Sequence, residues 1–169
     1  MNLIRKFRSN KKGSAAIEFA MLIGPLAITI FVILEIAMLF FVDSALDSAL
    51  HKTARSVRVG TAQSEGWDID TFKDELCSNM AYYFDCSSEV MVTSTVVSDI
   101  SSVSYISGTK DGALDVTESF DAGDSGDYVL IQAFLPWDPV IPLYSFSSAT
   151  LTDGTYILGS AVLQKNEPF

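Results

Sequence analysis

The dominant hydrophobic pattern in this chain is an apolar run of 24 residues, 19–42, that is interrupted only by Glu35. A helix of that length spans about 36 Å, enough to cross the roughly 30 Å hydrocarbon core of a bilayer with some tilt. A cleaved secretory signal has a shorter apolar region of about 7–15 residues, followed by a small-residue cleavage site. No such site follows Val42. The pattern therefore predicts a retained membrane-spanning helix.

Helical spacing continues beyond the apolar run. Between Asp43 and Val59 the apolar residues recur every three or four positions, at Leu46, Leu50, Ala54 and Val57. Gly60 predicts the end of this amphipathic extension. A second helix is predicted from Asp70 to about Tyr83, with Asp70 as its N-cap. Its apolar residues are spaced by four: Phe72, Leu76, Met80 and Phe84.

From residue 89 onward the pattern changes to that of strands. Glu89–Ile100 and Ser101–Ser107 are rich in β-branched residues, and both are predicted to be strands. Tyr128–Leu135 alternates apolar and other residues, which predicts a half-buried strand with Val129, Ile131, Ala133 and Leu135 on one face. The prolines that follow, at positions 136, 139 and 142, predict the end of that strand and an extended loop around Trp137.

The last predicted element is a hairpin. Ser147–Thr152 and Tyr156–Leu163 flank the turn pair Asp153-Gly154. The fold class that follows is α+β: a long N-terminal transmembrane helix with an amphipathic extension, a second short helix and a small antiparallel sheet. We divide the chain into a leader (1–13), the helix with its extension (14–60) and an outward α+β domain (61–169).

Charge gives the predicted orientation. Residues 1–13 carry five basic side chains and no acid, whereas the chain beyond Val42 carries 19 acidic and 6 basic side chains. Positive flanks remain in the cytoplasm, so the N-terminus is predicted to face inward and the acidic part outward. So acidic an outward domain argues against nucleic-acid binding.

Two cysteines, Cys77 and Cys86, lie in the outward part with eight residues between them. In an oxidising compartment such a pair commonly forms a disulfide, and the spacing matches no zinc-ligand set. A structural disulfide is therefore predicted, with a free or redox-active pair as the alternative.

A short motif before the apolar run connects these features with a known family. Lys11-Lys12-Gly13 is followed by four residues and then Glu18-Phe19. Further matching features are Pro25 and Glu35 in the apolar run, two arginines within Ala49–Arg58, the strand end at Pro136-Trp137, and the final residues Ala161–Phe169. In this combination the chain resembles the TadE-like minor pilins (pseudopilins) of the Tad, or Flp, pilus system.

The resemblance implies processing by a prepilin peptidase. The enzyme would cut after Gly13 on the cytoplasmic side and leave Ser14 as the first residue of the mature chain. A glycine suits an extended scissile position because it has no side chain. The alternative is an uncleaved signal anchor that has a glycine at this position.

The resemblance also implies a docking role for Glu18, which would face the free amine of a neighbouring subunit's first residue. A carboxylate in apolar surroundings is costly unless it is paired. The alternative is a carboxylate near the cytoplasmic headgroups that is solvated or protonated. Glu35 is either a second docking position or a side chain that snorkels toward the outer interface.

Two further groups of charged residues are candidate sites. Arg55 and Arg58 share a helix face and are predicted to pair with acids of the same domain or of a neighbouring subunit, or to form a solvated basic face. Asp121, Asp124 and Asp127 form a weak calcium candidate, since their spacing is not that of an EF-hand and a solvated loop is favoured. We therefore predict no metal site.

No catalytic motif was found: the chain has no G-x-S-x-G elbow, P-loop or H-E-x-x-H. We therefore expect no enzymatic activity and no cofactor. The predicted function is that of a minor pilin in assembly or at the tip of a Tad/Flp (type IVc) pilus, supporting surface attachment. Its expected partners are the prepilin peptidase, other pilins, the inner membrane and the pilus assembly platform. The alternative is an uncleaved, signal-anchored periplasmic binding or scaffold protein.

Overall fold

The computed structural model describes residues 14–80, 86–140 and 151–169. The predicted leader, the end of the predicted second helix, Pro142 and most of the first hairpin strand lie outside these ranges. The chain divides into two compact units, Met1–Met38 and Leu39–Phe169, which are considered separately. We call the second of these the head unit.

The first described element is helix α1, Ser14–Arg58, which is 45 residues long and contains Pro25. In the first unit its apolar side chains are exposed: Phe19 is 66% and Leu22 is 73% accessible. An apolar surface of this length is unfavourable in contact with water and favourable in contact with lipid. In the described part of the chain, this is the one helix long and apolar enough to cross a membrane.

Within the head unit, α1 buries the predicted stripe. Leu46, Leu50, Ala54 and Val57 are all 0% exposed. Gly60 follows the helix with a φ of 82°, in the left-handed region where glycine is favoured. The amphipathic extension and its end are therefore as predicted.

Within the described residues, three short helices follow α1: α2 (Thr61–Ser64), α3 (Ile69–Asn79) and α4 (Cys86–Glu89). Phe72, Leu76 and Met80 are buried, as predicted, and Asn79 Nδ2 donates to the Thr53 hydroxyl of α1 at 3.1 Å. The N-cap of α3 was predicted wrongly. It is Asp68, whose carboxylate accepts hydrogen bonds from both the backbone N–H and the hydroxyl of Thr71, while Asp70 lies in the first turn.

The main sheet has three antiparallel strands in the order β1-β4-β5: β1 (Met91–Val97), β4 (Tyr128–Trp137) and β5 (Tyr156–Lys165). A two-stranded ribbon, β2 (Thr109–Lys110) and β3 (Ala113–Leu114), lies between β1 and β4 in the chain. The fold is thus α+β with a long N-terminal helix, as the sequence predicts.

One face of the sheet and the helices share the core. The buried sheet residues of this core include Val92, Ile131, Ala133, Leu135, Leu158 and Val162. Two polar contacts join β5 to α1: Ser160 Oγ donates to Asp47 Oδ1 at 2.7 Å, and Gln164 Nε2 donates to the Ala54 carbonyl at 2.7 Å. Polar side chains thus fix the position of β5 against the helix.

The prediction that β4 is only half-buried was wrong. Leu130, Gln132 and Phe134, on the face opposite Ile131, are at most 5% exposed. The predicted strand Ser101–Ser107 is also absent: a 3₁₀ turn, Ile100–Ser102, begins there and is capped by the Asp99 carboxylate. The chain beyond this turn lies over β4, where the side-chain amide of Gln132 hydrogen-bonds both the N–H and the carbonyl of Ile106 at 3.1 Å.

Pro136 was predicted to end β4, and this too was wrong, since the strand continues to Trp137. β1 reaches only as far as Phe134, so Pro136 pairs with Ile157 of β5 alone. A residue without an N–H is tolerated where the sheet has an open edge. The turn at Asp153-Gly154 is present, with Gly154 at a φ of 90°, and the strand after it pairs with β4.

Candidate functional site

The residues predicted to act in processing and docking lie at the start of α1. Gly13 lies outside the described residues, and Ser14 is the first residue of the helix. Glu18 is exposed on α1 and Glu35 is partly exposed. They are 17 residues apart, a distance of about 25 Å along a helix. The structure therefore presents two carboxylates along one apolar helix, at separate levels.

The predicted disulfide is present. Cys77 of α3 and Cys86 at the start of α4 are bonded, with their Cα atoms 5.7 Å apart. Cys86 is buried in the core, next to Met80. The bridge thus attaches α3 to α4, from which the chain continues into β1.

Of the two arginines singled out in the sequence, Arg58 forms an ion pair within the head unit. Its Nη2 lies 3.0 Å from Glu167 Oε1, with both side chains about half exposed. The Glu167 N–H also donates to the Arg58 carbonyl at 2.8 Å. The C-terminal segment is therefore attached to the last turn of α1 by both a charged and a backbone contact.

Arg55 lies one turn earlier, in a groove that we call the cationic groove. It is lined by His51, Arg55 and Arg58 of α1, by residues 162–164 of β5 and by Glu167, and has a volume of about 590 Å³. In the described part of the chain no acidic side chain forms an ion pair with Arg55. His51 Nε2 lies 3.9 Å from Asp47 Oδ1, and both side chains are mostly exposed.

The acidic loop, Asp121–Asp127, lies beside the C-terminal segment. Asn166 is 2% exposed and its Nδ2 donates to the carbonyls of Ala122 and Asp124 at 2.9 and 3.1 Å. Gln63 Nε2 also donates to the Ala122 carbonyl, at 2.8 Å. These amides hold the loop backbone, while the side chains of Asp121 and Asp124 remain exposed.

Two of the three loop carboxylates bind the loop's own backbone. Asp121 Oδ1 accepts from the Gly123 N–H, and Asp127 Oδ2 accepts from the Asp124 N–H, each at 2.9 Å. Among the residues that the structure describes, no group of three or more His, Cys, Asp or Glu side chains is arranged to hold a metal ion. The carboxylates of Asp121 and Asp127 thus stabilise the turns of this loop.

A comparison with protein-family models identifies the N-terminal segment. Residues 13–55 match the TadE-like protein family. The resemblance inferred from the sequence is therefore confirmed over this segment. No curated protein and no solved structure matched the chain.

The TadE-like segment begins at Gly13 and extends through Arg55, so it contains Ser14, Glu18 and Glu35. It connects the chain with the Tad pilus system. The disulfide, the sheet and Glu167 all lie outside it. The part of the chain shared with the family is thus the helix, whereas the head beyond Arg55 has features that the family match does not cover.

The sequence indicates Arg58 as a candidate ion-pairing residue but does not indicate its partner. Glu167 lies 109 residues later, and nothing local to it indicates a contact with α1. Asn166 and Gln132 were missed for the same reason: each is a polar side chain that satisfies backbone groups of a distant segment. A neutral amide within or beside an apolar strand, as in Val-Leu-Ile-Gln132 or Leu163-Gln-Lys-Asn166, was the available signal.

Proposed function

We propose that this chain is a minor pilin (pseudopilin) of a Tad/Flp pilus. The precursor is inserted in the inner membrane with its N-terminus in the cytoplasm. A prepilin peptidase cuts it after Gly13, and the mature subunit joins other pilins through the exposed apolar part of α1. The head unit faces the periplasm or the exterior and takes part in assembly or at the pilus tip, supporting attachment without catalysis.

The observation that supports this proposal best is where the family match begins. The TadE-like segment starts at Gly13, the residue after which cleavage is proposed. Five basic side chains precede this point, and the membrane-length apolar helix follows it. A peptidase site on the cytoplasmic side of a retained membrane helix requires this order of basic residues, cleavage site and apolar helix.

The proposed docking step uses Glu18. Cleavage creates a free amine on Ser14, four residues before Glu18 in the same chain. In a lipid-like environment a carboxylate is stabilised by a cation, and the amine of an incoming subunit would supply one. Such a pair favours one axial register of the helices. Glu35, further along the same apolar surface, is proposed as a second contact of this kind.

The first test is processing. The full chain is expressed with and without its cognate prepilin peptidase, and its N-terminus is read by intact mass and terminal sequencing. We expect a chain that begins at Ser14 only when the peptidase is present. Gly13→Val should remain uncut, whereas Gly24→Ala should be cut normally, because a Cβ at Gly24 meets nothing within 4 Å. An intact Met1 terminus in every sample would instead indicate an uncleaved anchored scaffold protein.

The second test is docking. In a strain that makes the pilus, Glu18→Ala should still be processed, and the amount of subunit in sheared pili or the number of pili should fall strongly. Thr29→Ala, an exposed polar position on the same helix, is the matched control and should leave assembly unchanged. Normal piliation with Glu18→Ala would contradict the proposed role of this carboxylate.

A further inference from the structure

The basic side chains of the head unit are unevenly placed. Residues 43–169 hold 19 acidic and 6 basic side chains. Three of the six basic side chains, Lys52, Arg55 and Arg58, lie within seven consecutive residues of α1. Of the other three, Lys73 pairs with Glu118 at 2.9 Å, Lys165 lies over the Tyr128 ring, and Lys110 is exposed on β2. The cationic groove thus lies where the basic side chains of the head unit are most closely grouped along the chain.

The groove already holds one carboxylate. Glu167 binds Arg58 at one end, which shows that the groove accepts an acidic side chain from an irregular segment. His51, Arg55 and Arg58 are at positions i, i+4 and i+7 of α1 and so share one face of the helix. Arg58 is occupied by Glu167, and His51 lies 3.9 Å from Asp47, so among the described residues Arg55 is the groove cation that forms no ion pair. A second acidic segment that enters the groove would meet Arg55, with His51 beside it.

The chain itself carries a segment of the required chemistry. In the acidic loop, Asp121 and Asp124 expose their carboxylates on a backbone that Gln63 and Asn166 hold in place. Because the loop backbone is already ordered, binding would lose little conformational entropy. Within one copy, Asn166 holds the loop beside the segment that carries Glu167, and among the described residues no ion pair joins Asp121 or Asp124 to the groove. Their exposed carboxylates are therefore open to a second copy.

We propose that the cationic groove of one copy binds the acidic loop of a second copy, with the carboxylates of Asp121 and Asp124 facing His51 and Arg55. A contact between unlike surfaces can repeat from one copy to the next, as a helical assembly requires. This inference goes beyond the proposed function, because it depends on neither cleavage at Gly13 nor docking by Glu18.

The experiment measures self-association of the full chain in detergent micelles. Two populations with donor and acceptor fluorophores are mixed at increasing protein-to-detergent ratio, and energy transfer gives the apparent affinity. Arg55→Glu and Asp124→Lys should each weaken association by about tenfold, because an attraction becomes a repulsion. The double variant carrying both changes restores opposite charges across the contact and should recover most of the wild-type affinity.

Lys52→Glu is the matched control. Lys52 is an exposed cation on the same helix but does not line the groove, so its reversal makes the same change in net charge and should have little effect. Rising salt should weaken wild-type association and reduce the differences between variants. All the variants change exposed side chains, and their thermal melting should match that of the wild type.

Two results would overturn the inference. One is a wild-type chain that stays monomeric at every protein-to-detergent ratio. The other is self-association that Arg55→Glu and Asp124→Lys leave unchanged, which would assign the contact to the apolar helix alone. Neither result would affect the processing test at Gly13, so failure of this inference is distinguishable from failure of the proposed function.

Discussion

The ring of Phe169 occupies the space that a side chain on Gly60 would require. A Cβ built on Gly60 would lie 2.5 Å from Cγ of the Phe169 ring, and Gly60 has a φ of 82°. The C-terminal segment thus packs on the backbone just beyond α1, next to the Arg58–Glu167 pair. The turn after the helix and the end of the chain therefore stabilise each other.

Gly60→Ala should accordingly destabilise the head unit through two effects. The left-handed backbone costs about 1 kcal/mol for alanine, and displacing the ring adds a further 1 kcal/mol or more. Gly66→Ala is the matched control, since Gly66 has a φ of 67° but open space around its Cβ. Urea unfolding of both variants in micelles isolates the ring contact, and equal losses would contradict it.

The Arg58–Glu167 pair should contribute little to stability. Both side chains are about half exposed, so solvent and salt screen the attraction, and a contribution of about 0–1 kcal/mol is expected. A double-mutant cycle with Arg58→Ala and Glu167→Ala measures it. A coupling energy well above this range would mean that the pair is more shielded from solvent than the structure indicates.

Reduction of the disulfide should lower the stability of the head unit. The bridge closes a loop with a sequence separation of 9, for which unfolded-state entropy predicts about 2–3 kcal/mol. The variant with both cysteines replaced by serine should show a similar loss, and a reducing agent should then change nothing further. Thermal melting with and without reductant gives the comparison, and a wild type insensitive to reductant would argue against this contribution.

Gln132→Leu should release the segment that covers the outer face of β4. The substitution keeps the side-chain volume approximately but removes both hydrogen bonds to the Ile106 backbone, at an expected cost of about 1–3 kcal/mol. Amide hydrogen exchange should rise at Ile106 and its neighbours before it rises in β4. Unchanged protection there would show that the covering segment is held by other contacts.

The Asp68 cap at the N-terminus of α3 should make the stability of the head unit depend on pH, and the sign of that dependence follows from its pKa. Hydrogen bonds from the hydroxyl and then the N–H of Thr71 hold the pKa of the Asp68 carboxyl below its usual 3.8. A carboxyl group whose pKa is lower in the folded state than in the unfolded state stabilises the fold at pH values above its unfolded-state pKa. This stabilisation is lost as the pH falls through its folded-state pKa. Asp68→Asn keeps a capping oxygen but does not titrate.

The wild type should therefore exceed Asp68→Asn in stability at neutral pH, and the difference should close as the pH falls below 3.8. Thermal melts of the two proteins between pH 7 and pH 2 provide the measurement. A constant difference across this range would show that the Thr71 bonds do not depend on the charge of the cap.

What could be predicted from the sequence was local. The stripe at Leu46, Leu50, Ala54 and Val57 lies on one helix and appears directly as spacing, and the inward face of β4 appears as alternation. The predicted pairing of Cys77 with Cys86 needed only their proximity along the chain and an oxidising compartment.

What could not be predicted depended on a partner elsewhere in the chain. The side-chain amide of Gln132 hydrogen-bonds the N–H and carbonyl of Ile106, which would pair with a neighbouring strand if 101–107 were itself a strand. Pro136 is tolerated because β1 is shorter than β4, and β4 is covered on both faces because a distant segment crosses it. The sequence indicates Arg58 as a candidate for pairing with an acidic residue. Its position relative to Glu167, however, is set by the sheet and not by the spacing of residues along the sequence.

The order in which the elements are made has a consequence for biogenesis. Helix α1 is synthesised first, whereas β5, whose Ser160 and Gln164 contact Asp47 and Ala54, follows about a hundred residues later. Until those residues arrive, the apolar stripe of α1 has no sheet to pack against and is open to wrong associations. The head can therefore be completed only after β5 has been made, and packing between segments so far apart in sequence is slow to form.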